Sequence, residues 1–189
     1  MIDPDDPRPK REHRFLIAFI CIAAACGLGY SAFSHRWLEN KKSRVGFSLL
    51  SSERCVDSVC ESKSNTKLME ELTMQRAEDA SRAFALSGQA TLGLLAISAL
   101  ALLVCAWKLV LKKRTKGPSG PQHAALGALA FALIGATVFI KLKPGGATVD
   151  TGVAAGPGFW AFGIACVLGI IGAQAASGLI KPVDENALS

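Results

Sequence analysis

The sequence contains no glycine-rich phosphate loop, no nucleophile motif, no Cys-x-x-Cys and no zinc-ligand spacing. Phosphate transfer, covalent catalysis, dithiol exchange and structural zinc binding are therefore left without a sequence signal. Charge is scarce too: Asp, Glu, Lys and Arg make up 19% of the 189 residues, against 50% apolar. That ratio excludes an ordinary soluble enzyme. The three histidines, His13, His35 and His123, stand at or beyond the ends of the long apolar runs, whereas a haem between membrane helices needs an imidazole inside the apolar layer. No acidic residue falls inside the first, third or fourth run, so a proton relay or ion-coupled transporter lacks its carriers. The expectation is a non-enzyme with no catalytic residue, no cofactor and no metal.

What the sequence does have is four apolar runs. Phe15 to Phe33 carries no charge, and at about 1.5 Å per residue it matches a hydrocarbon layer about 30 Å thick. The second run, Ala90 to Leu111, holds only Lys108, close enough to its end to snorkel. The third is Ala124 to Ile140. The fourth, Phe159 to Ile180, follows the breaker Gly156-Pro157-Gly158 and precedes Lys181-Pro182. Backbone amides inside lipid must pair internally, so these runs are read as helices. The fold class is an all-α membrane protein, a four-helix transmembrane bundle with a small, disulfide-stapled, partly β extracytoplasmic domain in the first loop. A basic start followed by Ala24-Ala25-Cys26 loosely resembles a lipoprotein signal, but Ala23 is a poor residue for the branched apolar site and the run continues past Cys26.

The formal charge of +6 lies in blocks between these runs, which reads as membrane topology rather than a nucleic-acid footprint. Arg8, Lys10, Arg11 and Arg14 precede the first run, and Lys112, Lys113, Arg114 and Lys116 form a basic patch after the second. Both flanks are expected in the cytoplasm, the patch being able to attract anionic lipid as well. The connection from Pro144 to Gly158 has no Lys or Arg, as suits the far side. The organisation is then a cytoplasmic arm over 1–14, helices over 15–33, 85–111, 124–142 and 159–180, an extracytoplasmic domain over 34–84, a cytoplasmic loop over 112–123, a short outer loop over 143–158 and a cytoplasmic tail over 181–189. The location is a plasma or inner cell membrane, crossed several times, with both termini inside.

The connection after the first helix is too long for a bundle turn, so it holds structure of its own. Arg44 to Ser52 reads as a strand. Cys55 and Cys60, with four residues between them, fit a hairpin whose sulfurs meet across the turn at a Cα separation of about 5.5–6 Å. Such a ring stabilises by about 2 kcal/mol in the chain-entropy model. From Thr66 the pattern turns helical with no breaker before the second run, so one helix is expected from Thr66 to Lys113. Nine basic residues against eight acidic ones between Ser34 and Phe84 leave this domain nearly neutral, which argues against strong ion selection.

Inside the membrane, Ala161, Ala165, Gly169, Ala173 and Ser177 recur every four residues and read as a helix-packing stripe; Ala124, Ala128, Ala132 and Ala136 form another. Cys21, Cys26, Cys105 and Cys166 fall within apolar spans as small hydrophobes.

A basic-flanked helix, a large outer loop with Trp37, then Gly46-Phe47 and the Cys55/Cys60 pair, then three more helices, with Arg82 at the outer end of the second, resemble the claudin and peripheral myelin protein superfamily. The resemblance implies a β-sheet above a left-handed four-helix bundle. It covers the topology of the whole chain but few residues: Phe47 and Ser48 stand where that family has Leu-Trp, and the tail ends Asn186-Ala187-Leu188-Ser189. The expected function is structural, adhesive or auxiliary, through contacts of the outer domain and small-residue helix faces with membrane lipid and with other membrane proteins or further copies of itself, and without nucleic acid. Two alternatives stay open: a claudin-like oligomeric barrier or channel, and a quinone-linked thiol oxidoreductase using Cys55 and Cys60.

Overall fold

A computed structural model describes residues 11–40, 44–56, 59–74, 82–111, 120–143 and 152–177. Among the described residues, four helices are long and apolar enough to cross a membrane, spanning 13–33, 82–111, 121–141 and 157–177. They belong to α1 (Arg11–Phe33), α3 (Arg82–Leu111), α4 (Pro121–Lys141) and α5 (Pro157–Ser177). A shorter helix, α2 (Asn65–Met74), and five strands complete the order: β1 (Leu38–Asn40), β2 (Val45–Phe47), β3 (Ser51–Val56), β4 (Val59–Ser64) and β5 (Val153–Ala155).

Boundaries follow local chemistry. Pro121 and Pro157 occupy first turns, where a missing N–H costs nothing. The Gly156 carbonyl accepts from the Phe159 and Trp160 N–H groups, so the Gly-Pro-Gly breaker is the N-terminal cap of α5. Around the bundle, α1 and α4 each pack against both α3 and α5.

The interior has a heptad period. Buried positions on α3 include Phe84, Gly88, Thr91, Leu95, Ser98, Leu102, Cys105 and Leu109, with Ala85 and Ala106 beside them, and on α4 they are Gln122, Ala125, Leu129, Ala132, Ala136 and Phe139. On α5 they include Gly158, Phe162, Ala165, Gly169, Gly172 and Ala176. Steps of four and three alternate along these rows of α3, α4 and α5, the 3.5-residue period that helices satisfy by supercoiling around one another with a left-handed twist. The four-residue stripes share this face only in part. A step of four advances by about 400°, so such a row drifts off its face by about 40° each time. Ala165, Gly169 and Ala173 are buried, but Ala161 is only half-buried and Ser177 is exposed. Ala132 and Ala136 are likewise buried, whereas Ala124 is exposed and Ala128 half-buried. The outward faces are as apolar as the inward ones, presenting Phe19, Leu100, Phe131 and Ile164.

The strands form one antiparallel sheet in the order β4-β3-β2-β1-β5. The segment 44–52 is thus not a single strand: Ser48 breaks it, its Oγ accepting from the Leu50 and Ser51 N–H groups to close a turn between β2 and β3. Nor does the first loop build the sheet alone, because β5, from the connection before α5, pairs with β1 through Leu38↔Ala155 and Asn40↔Val153. Helix is present from Asn65 to Met74 and again from Arg82; residues 75–81, which the continuous-helix expectation also covers, lie outside the described residues. At 30 residues, α3 is about 45 Å long, well beyond an apolar layer of about 30 Å.

Candidate functional site

Registers assign the two faces of the sheet. Leu38, Phe47, Ser52 and Lys63 make one cross-strand row, and Glu39, Gly46, Glu53 and Ser62 make the next row on the opposite face. The first face is turned to the bundle, since Leu38 and Phe47 are buried and the Phe47 ring meets Phe84 of α3 edge-on at 6.0 Å.

Trp37 is the centre of that junction. It is fully buried between α1 and β1; its Nε1 donates to the Ser31 carbonyl at 2.6 Å and its N–H to the Phe47 carbonyl at 2.8 Å. Its ring packs against Phe139 of α4 at 6.1 Å and against Phe159 and Phe162 of α5 at 6.2 and 5.3 Å. Phe84 stacks on Phe139 at 4.6 Å, joining the Phe47 side to the same cluster. Two close backbone approaches complete the joint. A Cβ on Gly88 would lie 2.0 Å from the Leu49 carbonyl oxygen, and one on Gly156 2.4 Å from that of Arg36. Gly156 and Gly158 donate their N–H groups to the Trp37 and Arg36 carbonyls at 2.8 and 3.0 Å. Side-chain hydrogen at both glycines is a steric requirement.

The disulfide between Cys55 and Cys60 is formed, with a Cα separation of 4.1 Å. That is shorter than the hairpin expectation because the pair is of the closely spaced, non-hydrogen-bonded kind: the Cys55 N–H points to the other neighbour and donates to the Arg44 carbonyl at 3.2 Å. Glu53 brings a carboxylate oxygen within 4.8 Å of both sulfurs. With the sulfurs bonded to each other, the group offers no thiolate to a metal.

Of the residues that carry the family resemblance, Trp37 and Phe47 are brought side by side, Gly46 lies buried beneath the Arg36 stem, and Arg82 stands exposed in the first turn of α3. The basic patch Lys112, Lys113, Arg114 and Lys116 lies outside the described residues. Ala165, Gly169 and Gly172 of α5 serve packing within the chain: a Cβ on Gly169 would meet Leu129 and Leu102, and one on Gly172 would meet Cys21, while one on Gly27 of α1 would lie 2.9 Å from the Ala165 Cβ. Sequence reasoning missed Phe84, Phe139, Phe159 and Phe162. Their signal was positional, since helices that alternate in direction bring the start of the second and fourth apolar runs and the end of the third to the same end of the bundle.

Beyond the junction the sheet domain presents two features. A groove of about 360 Å³ runs between its inner face and α2, with Val45, Phe47, Leu68 and Leu72 as its apolar lining and the Lys63–Glu71 ion pair at 3.0 Å on its rim. The second is β4, every residue of which is exposed. No family model matches the chain, and no curated protein matches it.

Proposed function

We propose that this chain is a non-catalytic contact protein of a cell or inner membrane, crossing the bilayer four times with both termini in the cytoplasm. The sheet domain then stands outside, where it engages other membrane proteins as a structural, adhesive or auxiliary subunit. Helices whose outward faces are apolar support the crossing, and the lysines and arginines at 8–14 and 112–116 support the direction. A formed disulfide at an exposed hairpin agrees with an oxidising compartment. Ala165, Gly169 and Ala173, the middle of the α5 row, are buried inside the bundle, so this reading places the contact on the sheet domain.

The observation that carries this reading is a fully exposed strand, β4, on a sheet clamped to the bundle through Trp37. A rigid scaffold that presents an unused surface is the arrangement that recognition favours. The test is photocrosslinking in native membranes, with the reactive group at Ser62 in one variant and at Ile164 in another. Protein adducts at Ser62 and lipid adducts at Ile164 are expected; an absence of protein adducts at Ser62 would contradict the reading. A second reading, a claudin-like oligomeric barrier or channel, is favoured by the convergence of Trp37 and Phe47. It predicts altered electrical resistance across a cell layer that expresses the chain.

A further inference from the structure

The two edges of the sheet are finished differently. At one edge, β5 is only three residues long and the Lys143 ammonium donates to its Val153 carbonyl at 3.2 Å, a short strand occupied by a lysine. At the other, β4 runs six residues without a bulge or proline, paired to β3 at every position from Ser51↔Ser64 to Val56↔Val59. The Cys55 N–H turns away from β4 toward Arg44, so Cys55 and Cys60 form a non-hydrogen-bonded pair. Alternation along an antiparallel ladder then directs the N–H and C=O groups of Cys60 and Ser62, and the N–H of Ser64, out of the open edge. No described residue is shown bonding them.

We infer that β4 pairs with β4 of a second copy of this chain, antiparallel and centred on Ser62, to make one continuous sheet across two molecules. The inference deepens the contact reading and rests on it. Backbone parity allows this register: Ser62 meets Ser62 of the second copy in a reciprocal pair of hydrogen bonds, and each Ser64 N–H meets the opposite Cys60 carbonyl. Side chains then select it. Glu61 and Lys63 lie on the same face of β4 as Arg54 and Ser52, their partners on β3. Pairing about Ser62 sets each Glu61 opposite the other copy's Lys63 at the close, non-hydrogen-bonded spacing. A lysine on an edge ordinarily discourages pairing, but an acid two residues before it makes the strand complementary to itself. Lys63 already holds Glu71 of its own α2 at the surface, an exposed pair it can share. Antiparallel pairing also keeps both inner faces on one side. Since that face carries the bundle, the two copies stand the same way up in a single bilayer rather than in apposed ones.

The test uses the full chain in liposomes. With Ser62→Cys, mild oxidation is expected to give a disulfide-linked dimer at least about fivefold above Ala154→Cys, a control beside the closed edge. Glu61→Lys alone and Lys63→Glu alone each place like charges opposite one another and are expected to lower dimer yield several-fold. Mixed together they restore it, because every cross-strand pair in the mixed dimer is again Glu with Lys. Equal linking at Ser62 and Ala154, or no recovery on mixing, overturns the inference. If heterologous adducts at Ser62 persist in native membranes despite that result, the contact reading stands and only the self-pairing fails.

Discussion

The bundle and the sheet are attached by different means than those that hold the bundle itself. Along the helices, packing is spread over buried small and branched residues such as Ala132, Leu129, Gly169 and Leu102. At the sheet, the Trp37 indole and five phenyl rings, Phe47 of β2 with Phe84, Phe139, Phe159 and Phe162 of three helices, meet in a single cluster. In lipid there is little hydrophobic drive between helices, so close fit must be distributed along the whole interface. At the junction, burial of large rings and a few backbone hydrogen bonds concentrate the stabilisation on a handful of residues. The lesson is that the position of the sheet depends on single side chains and the bundle does not.

The largest expected effect sharpens that contrast. Trp37→Ala removes a fully buried ring and its hydrogen bond to Ser31, and is expected to cost about 3–5 kcal/mol. Trp160→Ala, on a ring 64% exposed at the start of α5, is expected to change stability little. Thermal unfolding of the purified chain in nanodiscs, read beside protease cleavage of the sheet domain, separates them. Equal shifts would break the comparison.

Gly88→Val comes next. Its Cβ would enter the Leu49 backbone, which cannot swing aside like a side chain, so a loss of about 1–3 kcal/mol is expected from overpacking. Gly93→Val, one turn and a half along the same helix with nothing within 4 Å of its Cβ, is expected to be close to neutral. The smallest effect belongs to the hairpin. Replacing Cys55 and Cys60 together by Ser is expected to cost no more than about 2 kcal/mol, because the ring is short and the β3–β4 register has further pairs to hold it. Hydrogen exchange should rise in β3 and β4 while α3 and α4 stay protected; a collapse of protection throughout would contradict the separation of the two regions.

Much of the bundle was legible in the sequence because a long, uncharged apolar run fits little besides a membrane-spanning helix. Of the helix-packing stripe on α5, the middle, Ala165, Gly169 and Ala173, lies in the interior, and the ends do not. Ala161 to Ser177 looks like a continuous stripe when counted in fours, and only a 3.5-residue count shows why its two ends leave the interior. The Cys55–Cys60 hairpin was legible because two cysteines at that spacing constrain each other locally. β5 was not, since three residues, Val153 to Ala155, carry no pattern of their own and become a strand only because β1 offers an edge. The same holds for Trp37: its type marked it as notable, but its partners Phe139 and Phe162 lie more than a hundred residues away, and nothing local announces them.

The central claim is that the sheet domain and the start of α4 lie on opposite sides of one bilayer. It is tested most directly by labelling single introduced cysteines in intact cells with a membrane-impermeant maleimide, in a chain carrying Cys26→Ala, since the other free cysteines, Cys21, Cys105 and Cys166, are buried and Cys55 is bonded to Cys60. Thr66→Cys, exposed on α2, should be labelled at once, and His123→Cys, exposed at the start of α4, only after the membrane is opened. Immediate labelling at His123 with protection at Thr66 would contradict the account.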